Sequence, residues 1–259
     1  MALVVAVALT ALMIVGHGAY TRGWVRFCYP SATELPVRGI DVSHHQGAID
    51  FAAVRAAGVR FVILKASEGG QWQDPTFGRH AAAAAAAGLD LGAYHFFSFR
   101  IDRARGATQA RNYLAAVGAD LRRLALPPLV DVEFEGNAAL VAGREPTRAE
   151  LAEFLRQVEA ATGRRPVIYA TEDSEGGLLG DRFATYARWR RSLWHQPGAP
   201  GGPVILWQFA DNATLPGVAT AVDMNAFLGS GADYAHWLAA SQPGRSRFAT
   251  PEDQARPAK

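Results

Sequence analysis

Asp131 and Glu133 stand two residues apart in LPPLVDVEFEG (126–136), at the end of an otherwise apolar run. Side chains alternate across a strand, so both would face one way, with Cα atoms about 6.6 Å apart at ~3.3 Å per residue. An unpaired buried carboxylate costs several kcal/mol, so acids on a core strand need either partners or a purpose. Two carboxyl groups that close and partly dry cannot both ionise easily, and one should keep its proton near neutrality. Glycoside hydrolysis uses that division: an acid protonates the leaving oxygen, and a carboxylate stabilises positive charge on the sugar. The backbone spacing does not fix the carboxyl separation, so it leaves retention and inversion both open.

The elements that must position such a pair alternate short β-rich runs with helical ones, the pattern of parallel strands joined by helical crossovers. Strands are expected at VRGIDV (37–42), RFVILKA (60–66), DLGAYHFF (90–97), PPLVDVE (127–133) and RPVIYA (165–170). Helices are expected near 51–57, 76–87, 103–117 and 147–161, the last opened by a capping box of Thr147 and Glu150. The alanines at 81–87 let a helix lie close against a sheet. Three further strands follow without long helices between them, at SLWH (192–195), VILWQFA (204–210) and VATAVDMN (218–225). Five βα units followed by three bare strands predict an α/β fold, a modified TIM-like barrel with few helices late in the chain.

In such a barrel the active site forms at the carboxyl ends of the strands. Those ends carry Asp41, Ser43, His44 and His45, then Lys65 and Glu68, then Tyr94 and His95, then Asp131 and Glu133. Tyr169, Trp194, Trp207, Gln208, Asp223 and Asn225 complete the series. Each has a structural reading too: Asp41 as a loop cap, Asp223 as a partner of an arginine at the rim, the tryptophans as core. The histidines fit either hydrogen bonds within a loop or a cation site of Asp41, His44, His95 and Asp131 in a metal-dependent hydrolase. No histidine pair has helical ligand spacing, and the glycosidase reading needs no metal or other cofactor. A third reading is a non-catalytic barrel whose acids only hydrogen-bond a glycan.

Composition frames these readings. The chain has 259 residues, 49% of them hydrophobic and 19% charged, enough for one large core. A net charge of +2 with scattered basic residues, and no nucleic-acid motif, gives no support to a polyanion partner. Cys28 is the only cysteine, which excludes an intrachain disulfide and a cysteine-based metal site. Residues 1–20 read as an export signal or short membrane anchor. The run is apolar from Ala2 to Val15, has no basic residue before it, and is followed by Arg22 and Arg26. The expected organisation is therefore this segment, a linker at 21–36, a catalytic barrel at 37–240 and a disordered polar tail at 241–259.

Residues 37–229 resemble glycoside hydrolase family 25, the lysozymes that cleave peptidoglycan. The resemblance is carried by GIDVSHHQGAIDF (39–51), FVILKASEGGQWQDPTF (61–77), GAYHFF (92–97), LPPLVDVE (126–133), PVIYA (166–170), LWQF (206–209) and VDMNAF (222–227). It implies hydrolysis of the β-1,4 bond between N-acetylmuramic acid and N-acetylglucosamine by an exported monomer, with membrane association through residues 2–20 as an option. The implied quartet is Asp41, Asp131, Glu133 and Asp223. Glu133 would be acid and then base, and Asp131 would stabilise the substrate's own acetamido group as it attacks. Tyr94, Tyr169, Trp207 and Gln208 would line the sugar subsites. Two departures stand out: His45 where similar chains carry an aromatic residue, and the loop QPGAPGG (196–202) after SLWH.

Overall fold

The computed structural model describes residues 2–21, 25, 27–137, 139–199 and 201–243. The expected tail lies outside the described residues from 244 onward. Its elements in chain order are α1 (Ala2–Thr21), β1 (Arg38–Val42), α2 (Phe51–Ala56), β2 (Val59–Glu68), β3 (Trp72–Gln73), α3 (Phe77–Ala86), β4 (Asp90–Phe96), α4 (Gly106–Val117), β5 (Leu129–Val132) and α5 (Arg144–Thr162). They continue with β6 (Val167–Ala170), α6 (Glu172–Ser174), β7 (Arg188–Arg191), β8 (Val204–Ala213), β9 (Val222–Phe227) and α7 (Gly231–Ala240).

Strands β1, β2, β4, β5, β6, β7 and β8 run parallel. β9 is antiparallel to both β8 and β1, and so closes an eight-stranded barrel. β3 is an extra hairpin strand on β2. The architecture is the expected one, five βα units and then three strands.

Alternation sorts the side chains into two apolar clusters. Ile40, Val62, Leu64, Val130, Val132 and Ile168 face the helix layer. Phe61, Ile63, Leu129, Val167, Trp189, Leu206 and Phe227 fill the barrel interior. α7 seals the amino-terminal end of the barrel, where Tyr234 and Trp237 pack on Phe227 and Tyr234 stacks on Phe61. The described barrel interior is therefore packed with side chains, so among the inward residues those at the carboxyl ends are placed to meet a substrate.

Three local expectations are corrected. The seventh strand is RWRR at 188–191, not SLWH at 192–195. Buried Arg188 and Arg190 are tolerated there because each reaches Glu175 at 2.9 Å. Trp194 lies beyond the strand, exposed and stacked on Phe27 at 3.9 Å. α5 begins one turn early, so Thr147 and Glu150 form no capping box. The Thr147 hydroxyl donates to the Gly143 carbonyl at 2.8 Å, and Glu150 accepts from the Gly106 amide at 2.8 Å, joining α4 to α5. Only glycine fits at 106, since a Cβ there would lie 1.8 Å from the Glu150 carbonyl oxygen. α7 itself was not expected; Ser230 and Asp233 cap it reciprocally.

α1 is helical as far as Thr21 and is tied to the barrel by a hydrogen bond from the Tyr20 hydroxyl to Asp211 at 2.5 Å. Among the described residues no helix is long and apolar enough to cross a membrane.

Candidate active site

Parity brings Asp41, Lys65, Tyr94, Asp131, Tyr169, Gln208 and Asp223 together at the mouth. Asp41 is set opposite Asp223 in the β1–β9 ladder, and Asp131 beside Tyr169 in β5–β6. Asp41 Oδ1 accepts from Asn225 Nδ2 at 2.6 Å and from Gln208 Nε2 at 2.9 Å. Gln208 Nε2 also lies 3.4 Å from Asp223 Oδ2, and Gln208 Oε1 accepts from the Tyr169 hydroxyl at 2.9 Å. These bonds make one network that fixes the amide's orientation, because its NH₂ must face the acids and its oxygen the phenol.

Glu133 follows the last residue of β5 and opens to solvent. Its loop is stapled by Asn137, whose Nδ2 donates to the Glu133 carbonyl at 3.1 Å and to the Phe97 carbonyl at 2.8 Å. Burial lifts the Glu133 carboxyl to about 7, with Glu135 and Asp41 pushing the same way and Arg191 and Lys65 opposing. Asp131 is raised well above the usual carboxylate range, first by burial and then by the charge of Glu133. Its Oδ1 is buried with no hydrogen-bond partner among the described residues. Burial likewise raises Asp41 and Asp223. Burial thus favours the neutral form of Asp131 as well as of Glu133.

Two expected positions lie elsewhere. Trp207 is buried in the outer layer, donating Nε1 to the Ser192 carbonyl at 2.7 Å and packing edge-on against Phe209. It cannot share a face with its neighbour Gln208. His95 also faces outward, between Ser67 at 2.8 Å and Gln109 at 3.2 Å, and burial holds its pKa down at about 3. It therefore cannot join Asp41 and Asp131 around a cation. His44 pairs with Asp74 at 3.1 Å on the rim.

Residues 40–218 match the model of glycosyl hydrolases family 25. The chain belongs to that family. It is 34% identical over 209 residues to lysozyme M1 of Streptomyces globisporus, covering 76% of this chain and 69% of that one. It is 34% identical over 154 residues to the N,O-diacetylmuramidase of Chalaropsis sp, covering 57% of this chain and 72% of that protein. Its fold superposes on the family 25 glycosyl hydrolase from Bacillus anthracis with a TM-score of 0.73 at 26% identity, covering 82% and 97% of the two chains. The bacterial lysozyme from Streptomyces coelicolor gives 0.68 at 30% identity, covering 79% and 96%. The protein is a glycoside hydrolase of the lysozyme type.

For this family 25 chain, sequence reasoning missed Trp189 and Arg191, because the seventh strand was sought four residues too late. Trp189 lies under the acids, edge-on to Tyr169 with ring centroids 4.6 Å apart, and donates Nε1 to Asn225 Oδ1 at 2.7 Å. Arg191 bonds Asp211 at 3.0 Å and pairs with Glu135 at 3.6 Å, placing a cation on the rim beside Glu133.

Proposed function

We propose that the protein is an N-acetylmuramidase, hydrolysing the β-1,4 bond from N-acetylmuramic acid to N-acetylglucosamine in peptidoglycan with retention, assisted by the substrate's acetamido group. The observation that carries this reading is the set of four inward carboxyl groups, all lifted by burial, of which Glu133 is the one at the open edge with a pKa of about 7.

Glu133 protonates the glycosidic oxygen and, as the resulting carboxylate, later takes a proton from water. Asp131 lies deeper. An acetamido N–H would supply the donor that its Oδ1 lacks, which stabilises the anion and aligns the acetamido oxygen for attack at the anomeric carbon. As the sugar binds, Asp131 releases its proton to solvent, and its negative charge is formed at that step. Asp41, fixed by Asn225 and Gln208, and Asp223 set the field around the developing positive charge. Tyr94 and Tyr169 supply hydroxyls and ring edges to the bound sugar. The substrate places the enzyme outside the inner face of a membrane, acting as a monomer.

Product analysis on purified peptidoglycan tests this. New muramic reducing ends are expected; new glucosamine reducing ends, anhydro products or released peptides would overturn it.

A further inference from the structure

A short helical turn at Glu175–Leu179 covers the outer side of β7, where Glu175 meets Arg188 and Arg190. The described residues of the β7–β8 connection, 192–199 and 201–203, hold no helix, where a regular barrel has a crossover helix. A cavity of about 480 Å³ remains there, within the size range of small-ligand sites, bounded by Glu172, Asp181, Arg191 and His195 and by the loop at Pro197 and Gly198. Arg191, which lines the cavity, also pairs with Glu135, two residues beyond Glu133, so this one side chain borders both the cavity and the rim of the catalytic mouth.

Among the described residues the lining contains no Phe, Tyr or Trp, so it offers no broad platform for a sugar ring. It carries charges of both signs instead. Glu175 is neutralised by Arg188 and Arg190, whereas Glu172 and Asp181 have no ion-pair partner among the described residues. We propose that this cavity receives the peptide borne by the muramic residue next to the scissile bond, a claim that rests on the muramidase reading above. That peptide leaves the sugar through its lactyl ether, sideways from the glycan axis, and carries both carboxylates and a free amine. Arg191 and His195 suit the carboxylates, and Glu172 and Asp181 suit the amine.

The test compares soluble glycan oligomers bearing a tetrapeptide with a diamino acid against the same oligomers stripped by an amidase. Losing one charge-assisted contact costs about tenfold, so wild type is expected to show a KM about tenfold lower on the peptide-bearing substrate with kcat unchanged. The double variant Glu172→Gln, Asp181→Asn, altered only at exposed positions, should lose that preference while cutting stripped oligomers at the wild-type rate. Equal KM values for the two substrates in wild type, or an undiminished preference in the variant, would overturn the proposal with the muramidase reading intact. Failure to cut either substrate would overturn both.

Discussion

Asp41 and Asp223 face each other across the β1–β9 ladder, and one carboxamide reaches both: Gln208 Nε2 lies 2.9 Å from the first and 3.4 Å from the second. The charge of Asp41 adds to the effect of burial in raising Asp223. Burial raises Asp41, and hydrogen bonds from Asn225 and then Gln208 oppose that rise.

Removing a hydrogen bond to a charged acceptor costs roughly 1.5–3 kcal/mol, so Gln208→Ala is expected to lower kcat/KM by about tenfold to a hundredfold. Steady-state kinetics on a soluble glycan would check this. Wild-type kinetics would show that the network only supports the fold.

Glu133→Gln should remove about 10²–10⁴ of kcat, the usual worth of a positioned general acid, with the circular dichroism spectrum unchanged. It should also alter stability in a signed way. The wild-type carboxyl is raised from 4.5 to about 7, so its favourable contribution is full below the unfolded value and lost as pH rises through the folded one. The amide cannot ionise. The variant should therefore melt higher than wild type above neutrality, and at a similar temperature in acid. A melting temperature below wild type at alkaline pH would contradict the buried-acid account.

Arg191 opposes the rise in the Glu133 pKa. Arg191→Met should thus raise it further, because burial and the neighbouring acids act without their counter-charge. Catalysis needs the protonated form, so the alkaline limb of the kcat profile should move to higher pH. A limb that stays in place or moves down would break the link between this cation and the acid.

Two of the buried tryptophans, Trp189 and Trp207, should separate cleanly. Trp189→Phe deletes the donor to Asn225, which in turn holds Asp41, and is expected to lower kcat more than it changes KM. Trp207→Phe should lower the melting temperature and leave both constants near wild type, since the indole lies in the outer layer. A rise in KM for Trp207→Phe would return that ring to the sugar site.

Much of this site was readable before any coordinates because parity is local. Asp131 with Glu133, and Tyr169 or Gln208 at strand ends, follow from alternation along single strands. The same rule places Trp207 opposite Gln208, so assigning both to the mouth conflicted with it from the outset. β7 was hidden for a different reason. Three arginines in four residues look like surface, and the burial of Arg188 and Arg190 depends on the remote Glu175 together with the Phe183, Tyr186 and Gly201 carbonyls that accept from Arg188. Helix α7 left a legible sign in Ser230 and Asp233, whereas its role in sealing the barrel depends on distant Phe61 and Phe227. Proton affinities were legible in direction alone, because dryness is a property of the assembled mouth.

The seal made by α7 bears on where the catalytic unit can be cut. The family match ends at residue 218, yet β9 with Asp223, and then α7, lie beyond it. A fragment trimmed to that match would lose one of the four acids, leave β1 and β8 with open edges, and uncork the hydrophobic floor. A minimal recombinant version therefore has to extend through residue 240.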